Sequence, residues 1–210
     1  TYNLKIAKEL QKQLSSDGIK VILTRDNDDT YPTKDDVKKL ATDNKVDILV
    51  DFDIINTNQK DIFGVKVYYG TAESAIVARS IEKNLSEHYI SKVSSSEKQG
   101  NFDQLKDKLP QVRVVSANIG DRVDVDILNN NLANKQYIEA LKSGVEGYLY
   151  YLINIDNYNA KRKEQLLNLP QKGLSVPMYY TKQDSYKNIS YGLDGKKTIE
   201  DNGDAIISLA

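Results

Sequence analysis

Apolar residues recur every three or four positions in several stretches of the chain, which is typical of amphipathic helices. The first stretch covers residues 3–16, where one stripe contains Leu4, Ala7, Leu10 and Leu14. Asp17-Gly18 then predicts the end of this helix, because Gly suits the left-handed position that follows a helix. Similar patterns predict helices over 34–44, with Thr33 as the cap, over 72–89 and over 135–152.

Short apolar runs rich in β-branched residues predict strands between these helices. The predicted strands cover residues 19–23, 46–52, 64–69, 112–115 and 123–128. The polar stretch 91–110 predicts a surface loop or a short peripheral helix. Strands separated by helices favour right-handed crossovers. The sequence therefore predicts an α/β fold with a mostly parallel sheet and helices on both faces.

The composition changes after residue 152 and divides the chain into three parts. We expect a domain over 1–152, a polar, Asn-rich linker over 153–168 and the beginning of a second unit over 169–210. Residue 1 falls at the start of a helix, and Ala205–Ala210 is an apolar run. These features lead us to expect a piece of a longer protein.

Composition excludes several classes of site. The chain has 210 residues with a net charge of -1, which argues against a nucleic-acid binder with a strongly basic face. Hydrophobic residues make up 40%, enough for a packed core. There is no cysteine, so no disulfide or cysteine nucleophile lies within these residues. The only histidine is His88, whereas a catalytic zinc site normally uses two or three histidines with a carboxylate.

Residues 1–152 resemble the zinc-dependent N-acetylmuramoyl-L-alanine amidases. In that family a helix of the form NLxIAxxL leads to GxxVxLTRxxD, and this chain has NLKIAKEL and GIKVILTRD. The family's ADLFVSIHAN is matched by VDILVDFDIIN at 46–56, and its GxEVYY by GVKVYY at 64–69. The closing helix, with GVEGYL at 144–149, is similar to the family's AxGIxxYL.

The resemblance implies a zinc site, but this chain departs from it at the decisive positions. The family's first zinc histidine would lie on a strand that precedes the sequence, and its glutamate ligand just before Thr1. The histidine of SIHAN is replaced by Asp53 or an immediate neighbour, and the catalytic glutamate of PAVLVELGFLSN falls near Asp126. A shorter, differently charged side chain would misplace the water and its base, so we expect a fold retained without its chemistry.

The carboxylates also have a simpler interpretation. Asp51, Asp53, Asp124 and Asp126 alternate near predicted strand ends and could be hydrogen-bonded or solvated side chains. A residual metal site built from them, with Asp53 and Asp126 as weak candidate ligands, would be rich in oxygen and would suit calcium or magnesium better than zinc. We expect Arg25 to bridge loop carboxylates rather than to hold a substrate. We expect His88 to be solvated at the end of its helix.

The tail, 169–210, resembles the start of a papain-type cysteine peptidase of the bacteriocin-leader-processing kind. The family pattern VPYYSQxD, YG and TIxxSGCGxTSLAM is similar to VPMYYTKQD, YG and TIEDNGDAIISLA in this chain. Asp204 stands where the nucleophilic cysteine would open a helix, and Lys182, next to Gln183, stands at the oxyanion glutamine. This unit is therefore also expected to lack its nucleophile.

Three functions follow from these resemblances. The first is a degenerate amidase-like protein that binds or scaffolds at the cell wall without hydrolysis and needs no cofactor. The second is an active amidase whose zinc ligands are completed by residues outside this chain. The third is a protein interaction module. The expected partners are peptidoglycan, a muropeptide or a wall protein, and the expected location is extracytoplasmic.

Overall fold

The computed structural model describes residues 1–59, 61–99, 109–167, 190–191 and 197–198. The chain divides into two compact units, 1–156 and 157–210. The second unit contributes the end of the longest helix and a pair of two-residue antiparallel strands, β5 (Ser190–Tyr191) and β6 (Lys197–Thr198). The papain-like stretch, including Asp204, otherwise lies outside the described residues.

Five helices are described, and the sequence predicted four of them. They are α1 (Tyr2–Ser16), α2 (Lys34–Asn44), α3 (Ala72–His88), α4 (Arg122–Leu128) and α5 (Asn131–Leu167). Thr33 caps α2 as expected, since its side chain accepts from the Asp36 N–H while the Asp36 carboxylate accepts from the Thr33 N–H. Helix α5 continues well past the predicted end at residue 152.

The first unit contains a four-stranded sheet in the order β1-β4-β2-β3. Its strands are β1 (Leu49–Ile55), β2 (Val65–Tyr69), β3 (Val93–Lys98) and β4 (Gln111–Asn118). The β1–β4 and β2–β3 pairs are parallel, whereas β2 and β4 are antiparallel. The sheet is therefore mixed rather than mostly parallel, because the connection 56–64 is too short for the crossover that a parallel strand requires.

Three predicted elements differ from the structure. Residues 123–128 form α4 rather than a strand, because the Asp121 side chain accepts from the N–H groups of Val123 and Asp124 and so caps a helix. The predicted loop 91–110 contains β3, whose polar sequence is typical of an edge strand. Residues 19–23 belong to neither a helix nor a strand.

The core of the first unit lies between the central strands and the helices α1, α3 and α5. Val67 of β2 and Val112 and Val114 of β4 are fully buried. Helix α5 approaches α3 at Gly144, where a Cβ atom would lie 2.6 Å from the Cα of Ile81. The same contact is closed by the Ser80 hydroxyl, which donates to the Gly144 carbonyl at 2.7 Å.

Three tyrosines connect the helices to one another and to the sheet. The Tyr2 hydroxyl donates to Asn134 Oδ1 at 2.7 Å, and the Tyr137 hydroxyl donates to Ser116 on β4 at 2.8 Å. The rings of Tyr89 and Tyr137 lie 5.0 Å apart. Burial raises the pKa of Tyr2 to about 12 and raises those of Tyr89 and Tyr137 further above their usual range.

Replacing Tyr2 by Phe should reduce the alkaline instability of the domain. The Tyr2 pKa is raised in the folded state, so its contribution is complete below pH 10 and is lost as pH rises towards 12. Urea titrations at pH 8 and pH 11 should show a smaller loss for Tyr2→Phe than for the unsubstituted chain, by about 1 kcal/mol after allowance for partial exposure. Tyr31→Phe, at a residue 83% exposed, is the control. Equal losses of unfolding free energy in all three proteins would contradict the raised pKa of Tyr2.

Candidate functional site

The candidate site lies at the edge of the sheet where β1 and β4 end. These strands are parallel, so their carboxyl ends, Ile55 and Asn118, meet at one edge. The antiparallel β2 begins at the same edge, just after Gly64. Ligands in α/β sheets bind outside the carboxyl ends of strands, where loops supply the chemistry.

Asp53 is the sequence-predicted residue that lies at this edge. It pairs with Val115 on β4, and its Oδ1 accepts from the N–H of Ile54 at 2.8 Å. The register then shifts, so that Ile55 pairs with Asn118. Strand β4 thus has one more residue than β1 over this stretch, an irregularity that redirects side chains at a sheet edge.

Asn118 holds the loop that follows β1. Its amide nitrogen donates to the carbonyls of Thr57 and Ile62 at 2.8 and 2.7 Å. Its amide oxygen accepts from the N–H groups of Thr57 and Gly120 at 2.9 and 3.0 Å. One buried side chain therefore fixes both connections that border the site. Asn118 was not among the residues predicted from the sequence, although a polar residue at the end of a buried run was the available signal.

Asp124 holds the ends of the same strands together through its carboxylate. Its carboxylate, only 2% exposed, accepts from the N–H of Gly64 at 2.8 and 2.9 Å and from the N–H of Asn118 at 2.7 Å. Gly64 has φ +80° and no room for a Cβ, which would lie 2.3 Å from the Lys92 carbonyl oxygen. The carboxylate thus joins the start of β2, the end of β4 and helix α4.

The other singled-out carboxylates have their own surroundings. Asp51 is paired with Arg113 at 2.8 Å between β1 and β4. Asp126 lies exposed on α4, so its expected position on a strand is wrong. For Asp51 and Asp124 the structure agrees with the simpler interpretation of hydrogen-bonded carboxylates.

Arg25 and His88 have the surroundings expected of them. Arg25 donates to Asp28 Oδ1 and to the Asn27 carbonyl, both at 3.1 Å, and so bridges groups of its own loop. The amino group and hydroxyl of Thr1 also bind Asp28. These bonds lower the pKa of Asp28 to about 2. His88 is exposed at the end of α3, with its Nε2 3.8 Å from a Glu87 carboxylate oxygen.

The strand that follows Pro110 offers a second placement for the family's glutamate. Begun at Pro110 without a gap, the pattern PAVLVELGFLSN places its glutamate at Val115 rather than near Asp126. Val115 is 5% exposed and pairs with Asp53. The placement near Asp126 assumed a strand over 123–128, which the structure does not contain.

The described residues do not fit a zinc site. Among them, no three His, Cys, Asp or Glu side chains are grouped so that they could hold a metal ion. Asp53 has the apolar Val115 as its neighbour on β4. Zinc requires three or four protein ligands of these types, so no chemical step can be assigned to such an ion here.

The fold and the site define the first unit as a mixed α/β domain with its candidate site at the carboxyl ends of β1 and β4. A sequence profile of the N-acetylmuramoyl-L-alanine amidase family matches residues 1–147. The chain belongs to this family. No curated protein matches the sequence.

Solved amidase structures share the fold. The catalytic domain of CwlV from Bacillus (Paenibacillus) polymyxa var. colistinus is 19% identical with a TM-score of 0.62, over 70% of this chain and 83% of that chain. AmiC2 of Nostoc punctiforme is 21% identical with a TM-score of 0.64, over 70% and 82%. CwlD from Clostridioides difficile, solved in complex with the GerS lipoprotein, is 18% identical with a TM-score of 0.62, over 71% and 85%.

Replacing Asp124 by Asn should destabilise the first unit strongly. The substitution removes a buried charge that accepts bonds from two backbone N–H groups, and it turns an amide N–H₂ towards one of those donors. We expect a loss of about 3 kcal/mol in the free energy of unfolding, measured by urea denaturation. Asp126→Asn, an exposed residue on the same helix, is the matched control and should change it by less than about 0.5 kcal/mol. Comparable losses in both variants would contradict the role given to Asp124.

Proposed function

We propose that this chain is an amidase-like module that binds cell-wall muropeptides without hydrolysing them. The observation that supports the proposal is Asp53 beside Val115 at the carboxyl edge of the sheet. By the family resemblance a histidine ligand would stand at Asp53 or an immediate neighbour, and the pattern begun at Pro110 would put the catalytic glutamate at Val115.

Hydrolysis of the amide bond requires an activated water and a base close to it. A valine side chain cannot accept a proton, and a lone aspartate does not supply a zinc ligand set. Binding requires neither an activated water nor a base. It requires a surface at the same edge of the sheet, and that surface does not depend on the side chains at Asp53 and Val115.

The loop after β4 and the first turn of α4 offer such a surface. Ile119 and Val123 are 48% and 58% exposed, and Arg122 between them is also exposed. A muropeptide carries acetyl, lactyl and alanine methyl groups together with free carboxylates. The two apolar side chains would contact the methyl groups, and the guanidinium would bind a carboxylate.

The proposed ligand also fits the proposed location. Peptidoglycan lies outside the cytoplasmic membrane, so binding to it implies an extracytoplasmic protein. None of the helices that the structure describes is long and apolar enough to cross a bilayer.

Calorimetric titration with purified muropeptides, first metal-free and then with zinc, tests the proposal. We expect the same affinity in both conditions and no release of stem peptide by mass spectrometry. Ile119→Asp should weaken binding at least about tenfold, because it replaces an apolar side chain that the muropeptide would cover by a charge. Tyr158→Asp, an equivalent change at a residue 59% exposed in the second unit, is the control.

Three outcomes would overturn the proposal. Release of stem peptide that needs zinc and stops with a chelator would show an active enzyme. Absence of binding in both conditions would favour a protein partner instead. Equal weakening by Ile119→Asp and Tyr158→Asp would remove the loop after β4 from the binding surface.

A further inference from the structure

The sheet of the first unit has one apolar face and one polar face. Residues paired across neighbouring strands lie on the same face, and successive residues along a strand alternate between the two faces. The apolar face belongs to the core formed with α1, α3 and α5, and it contains Phe52, Val67, Val112 and Val114. On the opposite face, Asp53, Val115 and Lys66 form one row across three strands. The candidate site therefore borders the polar face.

The other charges of the polar face are paired with one another. Asp51 on β1 forms an ion pair with Arg113 on β4, with 2.8 Å between the carboxylate oxygen and Nε. Lys66 on β2 forms an ion pair with Glu97 on β3. Because each of these pairs is neutral, Asp53 carries the charge that they leave unbalanced.

The Asp53 carboxylate is half-buried and has one oxygen to spare. Its Oδ1 accepts from the N–H of Ile54 at 2.8 Å. Its Oδ2 makes no hydrogen bond to a described residue, and it is not enclosed by the protein. No ion pair of the described residues includes Asp53. A carboxylate that is partly withdrawn from water gains most from a cationic hydrogen-bond donor, so this position favours a positively charged group of a ligand.

The surroundings of Asp53 indicate which kind of cation fits. Its neighbour on β4, Val115, is apolar, and a metal ion would need a group of ligands that the described residues do not form. The N–H of Ile119 donates to the carbonyl of Ile55 at 2.8 Å, two residues beyond Asp53, or about 7 Å along the strand. The exposed Ile119 and the Asp53 carboxylate are thus within reach of one small ligand. An ammonium group on an alkyl chain suits a single carboxylate with apolar neighbours.

We propose that Asp53 binds the side-chain ammonium of the diamino acid in the stem peptide, and so selects muropeptides that are not cross-linked. This inference rests on the proposed function, because it concerns the same ligand at the same edge of the sheet. In a muropeptide the amino end of the stem is acylated by the lactyl group, so the diamino acid carries the free amine of the stem. Cross-linking converts this amine into an amide, which has no charge to pair with Asp53.

Two matched muropeptides test the inference. One has a free amine on the diamino acid, and the other is identical except that this amine is acetylated. Both are titrated calorimetrically into the whole chain with a chelator present, which excludes a contact through a metal ion. We expect the free-amine form to bind at least about tenfold more tightly, because it gains a charge-assisted hydrogen bond. Raising the salt concentration from about 0.05 M to about 0.5 M should reduce this ratio.

Variants of the two aspartates on β1 identify the carboxylate that makes the contact. Asp53→Asn should lower the affinity for the free-amine form to that of the acetylated form, whose own affinity should not change. Asp53→Glu keeps the charge and should retain part of the preference. Asp51→Asn removes the same charge from the same face and is the matched control. It should leave the ratio unchanged, because Asp51 is already paired with Arg113. Circular dichroism verifies that all three variants fold.

The outcomes separate this inference from the proposed function. Equal affinities of the unsubstituted chain for the two muropeptides would overturn the inference and leave the proposed function standing. Absence of binding to either form would overturn both. A preference that Asp53→Asn and Asp51→Asn reduce equally would show a general attraction by the charge of the face rather than contact with Asp53, and would overturn the inference as well.

Discussion

The buried carboxylate of Asp124 is the interaction on which the candidate site depends. It accepts N–H groups from Gly64 and Asn118, and the Asn118 side chain in turn fixes the loop at Thr57. A single charge thereby joins the ends of three strands at the edge where chemistry is expected. A buried carboxylate without these donors would be costly. The start of β2, the end of β4 and helix α4 are therefore expected to form together rather than one by one.

Local sequence signals predicted the helices well because these signals act within one turn. Thr33 caps α2, and the stripe from Leu4 to Leu14 is the buried face of α1. Strands were predicted less well, because a strand depends on neighbours that are distant in sequence. The polar strand β3 joins the sheet by pairing with β2. Residues 123–128 alternate like a strand but form a helix, because Asp121 caps it. The family resemblance gave the fold, but not the direction of β2.

Asp53 could be placed from its neighbours in sequence, since the motif around it ends a strand. Asn118 could not, because its importance arises from four backbone groups in 57–62 and at Gly120 that only the folded chain brings together. The family resemblance put the glutamate near Asp126 on a predicted strand, but residues 123–128 form α4. Val115, by contrast, lies on β4 and pairs with Asp53. That pairing joins residues 62 positions apart and cannot be read from either segment alone.

One of the two predicted strands that the sheet does not contain, residues 19–23, borders an apolar cavity of about 1270 Å³. Residues 19–23 have the composition of a buried strand, and the cavity separates them from β1. The strand prediction for residues 19–23 was wrong although their composition favours a strand. A strand is defined by its ladder, and these residues have no strand neighbour in the part of the chain that the structure describes. The cavity lining on β1 ends at Phe52, one residue before Asp53. The region in which the predicted strand 19–23 and the sheet disagree therefore borders the candidate site.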